Sequence, residues 1–203
     1  MNLLEKLRTD KVTIGTSIAL VVALVMKLIQ GVILYTMTTY FVFSTETAIT
    51  LLIGMAPSLL LLGYIVFFYQ TDKTQLLLPC VFLFQAVISL GGLLEDYSLT
   101  SRLDASIIMG NGIWIVYYIF LFIVTYKGFE HITLLRVVIG AMSLYAMAGS
   151  VISLKTMMEL FPEETVIIVS QAVAVVGFFA HYLATFLFVP KWASEHEMGI
   201  ASR

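Results

Sequence analysis

Residues 12–34 form an apolar run in which Lys27 and Gln30 are the strongly polar side chains. As a helix this run extends roughly 34 Å at 1.5 Å per residue, enough to cross a hydrocarbon layer about 30 Å thick. Gly15, Ala19 and Ala23 recur at every fourth position, and Lys27 and Gly31 continue the same face. A face of small residues lets a second backbone approach closely where no hydrophobic effect drives helix association. The segment therefore predicts a membrane-spanning helix whose packing stripe, Gly15, Ala19 and Ala23, runs into a single intramembrane charge.

Five more apolar segments follow, at about 47–69, 76–94, 105–126, 132–154 and 165–189. Pro57 lies near the middle of the second, where a missing backbone donor kinks a helix. Pro79 falls in the first turn of the third, Gly91 and Gly92 close it, and Pro190 marks the end of the sixth. Composition agrees with this reading. The chain is 60% hydrophobic and 12% charged, with a mean hydropathy of +1.00, far from the roughly one-quarter charged composition of soluble domains. The predicted fold class is an all-α integral membrane protein, a six-transmembrane-helix bundle forming a single domain over residues 1–203.

Residues 1–11 place Leu3, Leu4 and Leu7 on one helical face and Glu5, Lys6, Arg8 and Lys11 elsewhere, the pattern of a helix lying on the membrane surface. The apolar run after it is longer than a signal-peptide core and lacks a small-x-small cleavage site, so it is read as a retained span. Basic residues near spans stay on the cytoplasmic side. Lys6, Arg8, Lys11, Lys73, Lys127, Arg136, Lys191 and Arg203 fall on the side of the termini, against Arg102 and Lys155 on the other. Both termini are accordingly predicted to be cytoplasmic, with residues 190–203 as a tail. Trp192, Tyr69 and Tyr126 are expected at the inner interface, and the expected location is a prokaryotic plasma membrane. Tyr64 to Phe68 (YIVFF) and Tyr118 to Phe122 (YIFLF) give a faint hint of duplicated helix pairs.

Converting sequence position to depth brings Lys27, Asn111 and Gln171 to a similar level in the outer third, with Gln30 one turn above Lys27. These four are the candidate ligand-binding residues of an outward-facing polar cavity, and Glu46, Glu95, Asp96, Arg102 and Asp104 are candidates for its rim. An intramembrane lysine points to function because insertion of the charge is costly. The competing expectation is that the flexible stem snorkels to water, and the two amides also suit interhelical hydrogen bonds. A proton path through Lys27, Gln85 and His181 is a weaker reading, since it lacks the intramembrane carboxylates common in proton relays.

No catalytic residue is assigned. The sequence has no Gly-x-Ser-x-Gly, His-Glu-x-x-His or phosphate-binding glycine loop. The single Cys80 reads as a small packing residue, the three histidines lack metal-ligand spacing, and no cofactor is expected. A net charge of -2 gives no reason to expect a nucleic-acid partner. Six spans in about 200 residues, with Ala19 and Ala23 four apart on the first helix, resemble in outline the substrate-binding subunits of energy-coupling-factor vitamin transporters. In that family an Ala-x-x-x-Ala pair on the first helix helps dock the coupling subunit, and ligand binds near the outer face. The resemblance covers architecture and that one spacing, and it carries over no ligand-specific residue. The leading functional expectation is a small-molecule binding or transport component. Its partners would be the lipid bilayer, a small-molecule ligand, and a partner membrane subunit or a second copy of the chain. The alternatives are a membrane-embedded enzyme acting on a lipid and a non-catalytic scaffold subunit.

Overall fold

The computed structural model describes residues 10–37, 45–69, 76–100, 112–128, 131–160 and 162–200. All regular structure among them is helical: α1 (Lys11–Met37), α2 (Thr45–Gly63), α3 (Leu77–Thr100), α4 (Ile113–Lys127), α5 (Ile132–Leu160) and α6 (Thr165–Ile200). Four helices are long and apolar enough to cross a membrane, over Lys11–Leu34, Leu51–Phe68, Ile132–Thr156 and Thr165–Glu195; Leu77–Gly91 and Ile113–Lys127 are shorter apolar helices. Large apolar side chains also remain uncovered along single faces, as with Ile18, Val21, Val25, Leu28 and Val32 on α1. Apolar faces of this extent are what a soluble surface avoids and a lipid-facing surface requires.

The described residues fall into two compact units, one within Met1–Leu62 and His131–Trp192, the other within Gly63–Glu130 and Ala193–Arg203. The first contains α1, α5, most of α2 and α6 as far as Trp192. Asp10 starts α1: its Oδ1 accepts from the Val12 and Thr13 amides at 3.1 and 3.4 Å, the arrangement of an N-cap. Its other oxygen accepts from the Thr13 hydroxyl and pairs with the ammonium of Lys191 on α6, which also donates to Thr13 Oγ1 at 2.8 Å. Further along, Gly31 of α1 lies against Leu51 of α2, and Gly177 of α6 against Ala23 and Met26 of α1.

In the second unit α3 packs along α4 and also meets the turn that follows α2. That turn, Tyr64–Phe68, is π-helical and closes with a Tyr69 amide to Tyr64 carbonyl bond of 2.8 Å. The similar YIFLF segment lies in the regular helix α4, so the two aromatic motifs do not share a local structure. Tyr69 donates its hydroxyl to the Glu195 carboxylate. α4 ends at Lys127, where Gly128 takes a φ of 79°, a left-handed conformation that glycine adopts without a side-chain clash.

Three helices run past the ends that hydropathy suggests. α3 continues through Gly91 and Gly92 to Thr100, so Glu95 and Asp96 lie on a helix and not in a loop. α5 continues to Leu160 and carries Lys155 and Glu159 as an exposed i,i+4 ion pair at 3.6 Å. α6 continues through Pro190 to Ile200. Past that proline, Lys191 is tied to Asp10, and Trp192 is 2% exposed, buried by protein instead of lying on an open surface. Cys80, expected as a packing residue, is exposed on α3.

Candidate functional site

Lys27, Ser58 and His181 of the first unit converge where α1, α2 and α6 meet. The α1 stripe shapes this junction. Ala19 and Ala23 are buried, whereas Gly15 has no atom within 4 Å of where a Cβ would stand. One turn beyond Ala23, Lys27 turns across α2. A Cβ on Gly54 would stand 3.0 Å from Lys27 Cε and 3.7 Å from Nζ, so the missing side chain at Gly54 leaves the space the lysine stem occupies. On the α6 side, Nζ lies 5.5 Å from the centre of the Phe178 ring. Lys27 is thus directed against protein. Among the described residues no carboxylate pairs with it.

One turn along α2 from Gly54, Ser58 Oγ lies 2.9 Å from His181 Nδ1 of α6, and both residues are buried. The backbone carbonyl of His181 accepts from the Thr185 hydroxyl at 3.1 Å. Lys27, Gly54, Ser58, Gly177, Phe178 and His181 all border one cavity of about 40 Å³. On α6 the cavity-lining positions Ala174, Gly177, Phe178 and His181 follow the three- and four-residue spacing of one helix face, as Gly54, Met55 and Ser58 do on α2.

Charge compensation here is incomplete. A cation over an aromatic ring gains about 0.5–2 kcal/mol. A lysine at the centre of a membrane helix costs about 2.5–3.5 kcal/mol on insertion scales. Phe178 therefore offsets only part of that cost, and Lys27 borders a small, mostly apolar cavity.

The other candidates are distributed differently. Gln171 Nε2 donates to Ser153 Oγ at 3.2 Å, linking α6 to α5, and Gln171 does not line the cavity. Gln30 keeps a buried Oε1 without a hydrogen-bond partner among the described residues. Asn111, Arg102 and Asp104 lie outside the described residues, as do the side chains of Glu46, Glu95 and Asp96, whose backbones belong to α2 and α3. Among the described residues no group of three or more His, Cys, Asp or Glu could hold a metal ion. Gly54, Ser58 and Phe178 were not expected at the site. For Gly54 and Ser58 the signal was present in the sequence, a glycine and a serine four apart on α2 and spaced to share one face.

These observations define a helical protein with the dimensions and apolar surface of a membrane protein and, inside one of its units, a small cavity bordered by Lys27, Ser58 and His181. The chain matches no protein-family model, no curated protein and no solved structure. The outline likeness to energy-coupling-factor subunits rests on span count and the Ala19–Ala23 spacing alone.

Proposed function

We propose that the chain is a six-span plasma-membrane protein with cytoplasmic termini that serves as a binding or transport component for a small solute. The solute would be held in the cavity at the α1–α2–α6 junction. Leu77–Gly91 and Ile113–Lys127 would supply the two spans beyond the four long ones, and the excess of basic residues on the side of the termini supports the orientation. The observation that carries the reading is the direction of Lys27: its ammonium turns to Gly54 and Phe178, beside a cavity that also presents Ser58 and His181. A snorkelling lysine would follow the lipid face toward the headgroups. A scaffold subunit needs no such cavity, and an enzyme acting on lipid would draw on carboxylates or histidines converging at a lipid-open cleft, of which the described cavity wall holds His181 alone, paired with Ser58. In the proposed orientation Lys27 lies about 24 Å along α1 from Lys11 and about 15 Å from Met37, on the outer side of the helix midpoint.

The test is native mass spectrometry of the protein purified in mild detergent, comparing the unmodified chain with Lys27→Met. A small molecule retained by the former and lost from the latter is the expected result. A solute retained equally by both would remove the cavity from the binding role, and so would failure of every solute in a broad panel to bind the unmodified chain.

A further inference from the structure

The junction of α1, α2 and α6 has a chemical polarity of its own. Its ionic group is the Lys27 ammonium, and among the described residues no carboxylate pairs with it. Glu46, the acidic residue on α2, lies about two turns, ~12 Å, along the helix from Gly54. Burying a charge without a partner is costly, and the remedies are a counter-ion or loss of the proton.

The second polar element adds a donor. When Ser58 donates to His181 Nδ1, the histidine keeps an Nε2–H; when Nδ1–H donates to Ser58, the serine keeps its O–H. Either tautomer leaves one spare donor on a residue that lines the cavity, in addition to the N–H groups of Lys27. The wall is mostly apolar, and its side-chain donors are confined to Lys27 and the Ser58–His181 pair.

Size narrows the guest. A cavity of about 40 Å³ has room for a few water molecules at roughly 10–15 Å³ each, and a vitamin or a nucleotide needs several times that volume. We infer that the cavity formed by Lys27, Gly54, Ser58, Phe178 and His181 binds a small monovalent inorganic anion of the size of chloride or nitrate. Lys27 supplies the counter-charge and the Ser58–His181 pair the second hydrogen bond. This inference rests on the proposed solute-binding role of the same cavity and names the class of solute. Gly54 has a specific part, because the space it leaves open positions the Lys27 stem.

Thermal unfolding of the full chain in nanodiscs tests the assignment. Chloride, bromide or nitrate is titrated against gluconate at constant ionic strength, gluconate being too bulky for the cavity. A ligand that binds the folded state raises Tm in a saturable way. The expected rise is roughly 5–11 °C at about 100 times Kd for a chain of this size. Lys27→Met should abolish it. Gly54→Ala keeps the charge but places a methyl group 3.0 Å from Lys27 Cε, so it should move the half-point to about tenfold higher anion concentration. Ser58→Ala should weaken binding in the same direction. If Lys27→Met does not fold, the Gly54→Ala and Ser58→Ala shifts decide the matter.

The assignment is overturned if the unmodified chain shows no anion-specific rise, or if Gly54→Ala and Ser58→Ala both titrate like it. A neutral or cationic solute that raises Tm in a Lys27-dependent manner, with the anions inert, sinks the anion assignment and leaves the solute-binding reading standing. Failure of every solute in the panel sinks both.

Discussion

Gly177 of α6 faces the backbone of Ala23 on α1: a methyl group placed on Gly177 would stand 3.4 Å from the Ala23 carbonyl oxygen and 3.2 Å from Met26 Cβ. Neither neighbour is the end of a flexible side chain, so relief requires the helices to separate. Gly177→Ala gains up to about 1 kcal/mol in helix propensity against an overpacking cost of about 1–3 kcal/mol. Net destabilisation is expected, larger for Gly177→Val. Gly15→Ala meets open space and should be neutral or mildly stabilising. Denaturant unfolding in mixed micelles reads both, and equal effects at the two glycines would show that the α1–α6 crossing is looser than described.

At the start of α1, Asp10 has two separable roles. Its Oδ1 caps the helix, and its carboxylate also pairs with Lys191, the two side chains being 30% and 17% exposed. Asp10→Ala removes both roles and should cost about 1–2 kcal/mol, the range for loss of a cap. Asp10→Asn keeps a capping oxygen and removes the charge, and a partly exposed pair contributes under about 1 kcal/mol. The asparagine variant should therefore lie between the unmodified chain and the alanine variant in unfolding free energy. If asparagine is as damaging as alanine, the ion pair and not the cap anchors this end.

Hydropathy identified every apolar segment that the structure describes as a helix, because a run such as 12–34 has few alternatives once its backbone must satisfy itself without water. It misjudged where helices stop. Lys155, Thr156 and Glu159 are polar but compatible with a helix, and α5 ends only ahead of Pro162. At Pro190 the local signal to stop is outweighed by contacts further along, with Lys191 held by Asp10 and Trp192 buried. Of the site, Lys27 was legible as a ligand-binding candidate and His181 only as a member of a proton path. The pairing of Ser58 with His181 joins residues 123 apart in sequence, and depth arithmetic gives a residue's level in the membrane without giving the azimuth that decides which helices meet.

Topology is open to a direct measurement. With exposed Cys80 replaced by alanine, single cysteines at positions 73 and 101 should behave oppositely toward an impermeant thiol reagent added outside the cell. Position 101 should react, and position 73 should react only after the membrane is opened. Labelling of 73 from outside with 101 protected would invert the orientation, and labelling of both from outside would require an odd number of crossings between them to be abandoned.

The Ser58–His181 bond should appear as an energetic coupling. Ser58→Ala leaves His181 Nδ1 buried without its partner, a loss of about 1–3 kcal/mol for an unsatisfied buried group. His181→Phe removes the other half, and the double variant removes both polar atoms together. The double variant should therefore be less destabilised than the sum of the two single variants, by about 0.5–3 kcal/mol as found for residues in contact. Additive losses would mean that the 2.9 Å contact contributes no net stability.

Lys27 is expected to show the opposite balance. Its ammonium packs against Gly54 and Phe178 with no carboxylate partner among the described residues, so the charge burdens the folded protein in the absence of ligand. Lys27→Met keeps an unbranched stem for the space above Gly54 and removes the charge. In anion-free buffer this variant should insert normally and resist unfolding better than the unmodified chain. The gain is bounded by the roughly 2.5–3.5 kcal/mol that insertion scales assign to a central lysine and reduced by loss of the cation–π contact, about 0.5–2 kcal/mol. A net gain of at most about 3 kcal/mol follows, together with loss of ligand response, the pattern of a residue kept for function at the expense of stability. Unfolding of the two proteins side by side supplies the check. A Lys27→Met protein less stable than the unmodified chain without added ligand would show that the ammonium has a stabilising partner in the fold, and that its role at the α1–α2–α6 junction is structural.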